Sequence, residues 1–123
     1  MLKKFTKKKI EVSFTPHLSP MFRGILSTIY LDLNKNVNQS KVITLLSKFY
    51  KKEKFIKISK SDTLISTNDV INTNNCQISV CKSKDKKKLI ILSSIDNLIK
   101  GGAGQAVQNL NLIFNFKLNE GLK

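Results

Sequence analysis

Two apolar runs separated by a short charged segment constrain the fold more than anything else in this chain. "CQISVCKS" (76–83) and "KLIILSSI" (88–95) flank "KDKK" (84–87). Runs of this length and composition around a polar turn pair most simply as antiparallel neighbours. A lone hairpin is not stable in water, so other runs have to join the same sheet. "GILSTIYLDL" (24–33) puts Ile25, Ile29, Leu31 and Leu33 with Ser27 on one face, and Leu26, Thr28 and Tyr30 on the other. Apolarity on both sides predicts an inner strand covered on both faces. "IEVSF" (10–14) alternates as a half-buried strand does, and "FIKIS" (55–59) reads as a short strand.

Elsewhere the period is helical. From Asn38 onward Val42, Leu45, Leu46 and Phe49 recur at helical spacing, with Asn38 or Ser40 as the cap and lysines toward an end near Glu53. Residues 60–75, rich in Ser, Thr, Asn and Asp, read as a loop. In the closing stretch, Gly101, Gly102 and Gly104 precede a pattern that sets Ala103, Ala106, Val107, Leu110, Ile113 and Phe114 on one face. That face is small at its first turn and large at its last, which allows close backbone approach at one end and deep packing at the other. The expected architecture is α+β: a mixed, mainly antiparallel sheet of four or five strands with covering helices. One helix falls between the second and third strands, and another closes the chain over 97–116. Residues 1–9 read as a basic segment and 10–123 as one domain, a size that can bury its own core.

The net charge of +14 attracts polyanions in general. It is carried almost wholly by lysine, with one arginine and no tryptophan, so the forked and stacking side chains of nucleic-acid readers are scarce. No specific nucleic-acid partner is expected. Cys76 and Cys81 match neither a CxxC redox pair nor a zinc site, and with a single histidine no metal site is expected. A buried structural thiol is the expected state of each, as for free thiols in a cytoplasmic protein. No apolar run approaches membrane-spanning length, so no membrane partner is expected.

"FTPHLSPMFRG" (14–24) gathers the lone histidine, both prolines and the lone arginine. Pro16 and Pro20 disfavour helix at Thr15 and Ser19, so His17 is held on a stiff extended loop. A histidine so placed can exchange protons with a nucleophile or substrate; Arg23 is suited to grip a carboxylate or phosphate. The alternative is a hydrogen-bonded structural histidine and a surface arginine. No nucleophile-elbow pattern supplies His17 with a partner within the chain.

Three stretches carry a resemblance: "VSFTPHLSPMFRGILSTIY" (12–30), "NNCQISV" (74–80) and "SSIDNLIKGGAGQAVQNLNLIFNF" (93–116). In this order they resemble the C-terminal part of the N-acetyl-gamma-glutamyl-phosphate reductase family. The resemblance implies a glyceraldehyde-3-phosphate/semialdehyde dehydrogenase C-terminal-like domain that catalyses and dimerises through its sheet. Such a domain is normally joined to an N-terminal Rossmann domain that binds NADP, and neither a Rossmann glycine loop nor the family's "GCYPT"-like nucleophile segment occurs here. It implies reduction of a small-molecule acyl phosphate, N-acetyl-glutamyl 5-phosphate, to the semialdehyde in arginine biosynthesis, in the cytoplasm. By the same resemblance His17 is the acid/base for the cysteine nucleophile, Arg23 binds the anionic substrate, and Asn109 contacts the nicotinamide carboxamide. Cys76 matches a strand cysteine of the family and not its nucleophile. The closing helix would pack on the cofactor domain. The isolated chain is therefore expected to be an inactive fragment whose partner is the Rossmann and cysteine-bearing domain. Two alternatives remain: a noncatalytic lysine-rich binding module, using "LKKFTKKK" and "KDKKK", and a decayed remnant of the reductase.

Overall fold

The computed structural model describes residues 10–123; the basic segment 1–9 lies outside the described residues. Four strands form one mixed sheet: β1 (Ile25–Asp32), β2 (Ile56–Ile58), β3 (Cys76–Lys82) and β4 (Lys88–Ile95), in the order β1-β4-β3-β2. The hairpin forms as its sequence dictates, with Val80 opposite Ile91 and Lys82 opposite Leu89. β1 pairs antiparallel with β4, placing Ile29 opposite Ile91, while β2 pairs parallel with β3.

Helix α1 (Gln39–Phe49) begins where Asn38, in extended conformation, accepts from the Lys41 amide at 2.9 Å. It ends with the Tyr50 amide returning to the Leu46 carbonyl, short of the expected Glu53. At its start Gln39 donates to the Val80 carbonyl at 2.8 Å and to Asp62 at 3.0 Å, which fastens the helix to β3 and to the loop between β2 and β3. That loop carries a short 3-10 turn, Thr67–Asp69, braced because the Ser66 amide donates to Asp69 at 2.7 Å. It lies against the sheet face bearing Ser94, whose hydroxyl donates to the Ser66 carbonyl.

The end of the chain is less regular than a single helix over 97–116. After β4 the chain makes a wide turn, Ile99–Ala103, with Gly101 and Ala103 amides reaching five residues back to the carbonyls of Asp96 and Leu98. Gly102 breaks the helical path (φ −147, ψ −113), and α2 then runs Gly104–Ile113. Asn115, at φ 56, stops it before 116.

Two further expectations fail. Residues 10–14 form no strand; the prolines that follow hold this segment in an irregular path, and no described strand pairs with it. β1 is an edge strand, and all eight of its residues are exposed. Its two-sided apolarity is real, but nothing among the described residues covers it. The core is correspondingly small: Phe55, Ile65, Val70, Val80 and Leu89 are the buried apolar residues, each worth about 1.5–3 kcal/mol by transfer. An unusual amount of the interior is polar, with Asn74, Ser79, Ser94, Asp96 and Asn111 among the buried residues. Such groups are tolerated only when hydrogen-bonded, and most of them tie loops to the sheet.

Candidate active site

The base of the proline loop is built by four residues in two adjacent pairs. Gly24 takes φ +104, a region that a side chain resists, and a Cβ there would stand 2.4 Å from the Thr67 Cβ, so both conformation and space require glycine. Its amide donates to Asn97 Oδ1 at 2.7 Å. Next to it, the Arg23 guanidinium donates through Nη1 to Asn72 Oδ1 and lies 3.6 Å from Asp96 Oδ2. Consecutive residues of the loop are thus held by consecutive residues at the end of β4.

Asp96 is the hub. Its Oδ1 accepts from the amides of Leu98 at 2.8 Å and Ile99 at 3.0 Å, and its Oδ2 from the Asn72 amide at 2.9 Å. Burial on its own would push the Asp96 carboxyl up. The Asn72, Ile99 and Leu98 amides, with the Arg23 charge, outweigh it and hold the carboxyl below its ordinary range. Neither Asp96 nor Asn97 stands out in the sequence, because an acid among 22 lysines and arginines does not single out Arg23 as its partner.

Arg23 also borders a cavity of about 560 Å³ with Met21, Phe22, Thr67, Asn68, Ile71 and Asn72. Its Nε is buried and has no hydrogen-bond partner among the described residues. Residues 14–20 of the loop are all exposed. His17 is exposed, and so are Phe14, Leu18 and Phe22 around it. A tight turn, with the Met21 amide donating to the Ser19 carbonyl at 2.7 Å, follows His17.

Asn109 sits on the exposed side of α2, where its Oδ1 accepts from Gln105 at 3.0 Å. No hydrogen bond among those described joins His17, Arg23 and Asn109 to one another. The helix is inverted relative to a simple amphipathic reading: Gly104, Gln108 and Asn111 face inward, while Leu110, Ile113 and Phe114 are exposed. At Gly104 a Cβ would lie 2.5 Å from Asn74 Oδ1 and 2.8 Å from the Ile99 carbonyl, so this glycine permits close packing, as its place at the small end of the pattern predicts.

Gln108 accepts from Asn74 and from Lys100 Nζ, each at 2.9 Å, and the Lys100 ammonium also stands 5.5 Å from the centre of the Phe55 ring. Burial lowers the Lys100 pKa against the opposing pull of Cys76 and Glu53. The two thiols are half-buried and free, Cys76 lying 3.6 Å from the Ser93 hydroxyl and Cys81 3.7 Å from that of Ser79.

The site thus comprises a glycine-locked loop carrying an exposed histidine beside a sheet whose edge strand β1 is exposed. The family model of the semialdehyde dehydrogenase dimerisation domain matches residues 1–97. The chain belongs to that family. Its α+β fold, with a four-stranded mixed sheet and two helices, agrees with membership, and the described residues form no Rossmann unit.

Similar proteins extend the likeness beyond the family's boundary at residue 97. The N-acetyl-gamma-glutamyl-phosphate reductase of Clostridium botulinum (strain Eklund 17B / Type B) is 43% identical over 122 residues, covering 99% of this chain and 36% of the relative. The reductase of Thermoanaerobacter pseudethanolicus is 44% identical, over 98% of this chain and 35% of its own length. That of Vesicomyosocius okutanii reaches 50% over 94% of the chain and 32% of the relative. The chain thus spans about a third of the length of these reductases. None of the described helices is long and apolar enough to cross a membrane.

Proposed function

We propose that this chain is the C-terminal catalytic and dimerisation part of an NADP-dependent N-acetyl-gamma-glutamyl-phosphate reductase of arginine biosynthesis. On this reading the nucleophilic cysteine and most of the cofactor site come from a Rossmann-containing portion that this chain does not span. The observation that carries the reading is the 43% identity to a reductase across 99% of the chain, which includes the whole histidine loop.

The reaction assigns each residue a task. His17, exposed on its loop, takes the proton of the cysteine as the thiolate forms, since the thiolate is the competent nucleophile. The thiolate attacks the acyl-phosphate carbonyl and expels phosphate, leaving a thioester. Once that thioester has been reduced to a thiohemiacetal, His17 takes its hydroxyl proton as it collapses to the aldehyde and releases the cysteine. Arg23, with its guanidinium bordering the 560 Å³ cavity, holds an anionic group of the substrate. The dinucleotide, when bound, supplies the hydride. Asn109 fits its carboxamide end: the residue is exposed, and Gln105 engages its Oδ1, leaving the Nδ2 donors for a carboxamide oxygen. The Rossmann portion would cover the apolar side of α2, and a second copy of the enzyme would cover the sheet edge.

The test is complementation. The chain is folded together with the part of the Clostridium botulinum relative that it does not match, and reduction of N-acetyl-glutamyl 5-phosphate is followed by NADPH absorbance. The reading expects activity in the complex, none in the chain alone, and a loss of about 10²-fold or more with His17→Ala. Activity of the chain alone, a folded complex without activity, or an unimpaired His17→Ala complex would refute it.

A further inference from the structure

We propose that Asn97 is a positioning residue for His17, fixing the base of the histidine loop through Gly24 while its neighbour Asp96 fixes Arg23. This deepens the assignment of His17 as acid/base and rests on it. The argument begins with what the loop lacks. His17 is exposed, and no hydrogen bond among those described sets its direction. Its aim therefore has to come from the point where the loop leaves the sheet.

At that point the Gly24 amide is bonded to Asn97 at 2.7 Å and the Arg23 guanidinium is 3.6 Å from Asp96. Between this anchor and His17 lie only residues 18–22. Two of those are themselves restrained, Pro20 by its ring and Met21 by its 2.7 Å bond to Ser19. Orientation set at the anchor thus persists to the histidine. Asp96 in turn is held by the amides of Leu98 and Ile99, so the clamp is continuous with the wide turn that opens α2, the helix that carries Asn109. The end of β4 sets the direction of the acid/base and the start of the cofactor-facing helix together.

The experiment uses the complemented enzyme with Asn97→Ala, which removes the acceptor for Gly24, and Asn97→Asp, which retains it. His17→Ala is measured alongside. A misdirected acid/base loses turnover rather than substrate affinity, so kcat falls on the order of tenfold to a hundredfold in Asn97→Ala with KM changed less than about twofold, and Asn97→Asp recovers most of the loss. If His17→Ala is impaired while Asn97→Ala turns over normally per folded enzyme, the proposal is overturned and the role of His17 stands. If His17→Ala is itself unimpaired, that role falls and the proposal with it. Should Asn97→Ala fail to fold, amide exchange in the unaltered chain decides. A Gly24 amide that exchanges as slowly as those of β4 supports the clamp, and one that exchanges as fast as the exposed loop overturns it.

Discussion

Arg23 and Asp96 meet across the mouth of the histidine loop with their charged atoms 3.6 Å apart, the carboxylate fully buried and the arginine side chain about a quarter exposed (24%). A buried carboxylate supplied with three backbone amides is an expensive group to keep unless it joins segments that would otherwise part. Here it joins the loop through Arg23, the 60–75 segment through the Asn72 amide, and the turn before α2.

Replacing Asp96 with asparagine is expected to destabilise the domain by about 2–3 kcal/mol at pH 7, because amide donors and a guanidinium lose a charged acceptor. The pH dependence has a definite sign. The folded carboxyl titrates below its unfolded value of about 3.9, so its stabilisation is complete above that pH and is lost as pH falls through the lower folded value. The resistance of the native chain to urea should weaken on acidification below about pH 4, and Asp96→Asn should show a shallower dependence. Equal slopes in the two proteins would exclude Asp96 as a contributor.

Gly24→Ala tests the other half of the anchor. The alanine would have to hold φ +104 and set its methyl 2.4 Å from the Thr67 Cβ, within the van der Waals distance. A loss of about 2 kcal/mol or more is expected from strain and overlap together. Thr67→Ser removes the Cγ2 methyl, which would stand 2.5 Å from the new Cβ, and should return part of it. A melting temperature unchanged in Gly24→Ala would show that the loop base is free to move.

His17→Ala should behave in the opposite way. The side chain is exposed and holds nothing in place, so stability should change by less than about 0.5 kcal/mol while the complemented enzyme loses about 10²-fold or more in kcat. A large loss of stability in the chain alone would make it a structural histidine.

The hairpin, the first helix and the stiff loop are legible in the sequence because each rests on local chemistry: Val80 and Ile91 lie in apolar runs on either side of a polar turn, Asn38 caps, and Pro16 and Pro20 restrict. What the residues do not reveal is which apolar surface faces its own chain. Ile29 and Tyr30 in β1, and Ile113 and Phe114 at the end of α2, read as core by hydrophobicity, yet all four are exposed. Burial by another polypeptide leaves the same pattern as burial at home. The interior of α2 is hidden for the converse reason, since Gln108 and Asn111 are polar and pack inward through bonds to Asn74 and to the Leu118 and Glu120 carbonyls. Of the site, His17 and Arg23 stand out by their scarcity. Their supports, Asp96 and Asn97, become visible only when the end of β4 is laid beside the loop.

The bare surfaces give the last prediction. The edge strand β1 and the outer side of α2 are separate in sequence, and on the reading above they meet different partners: β1 a second copy, α2 the cofactor-binding portion. Exposed apolar patches of this kind drive association. The chain alone should sediment as a concentration-dependent dimer or larger species. Ile29→Lys, which sets a charge in the middle of β1, should shift it toward monomer. Ile113→Lys, where the side chain is 74% exposed, should leave that self-association intact and weaken complementation by the cofactor-binding portion. If Ile113→Lys abolished self-association while Ile29→Lys left it unchanged, the assignment of the two surfaces would have to be exchanged. A chain that sediments as a monomer at every concentration would show that neither surface joins copies of it.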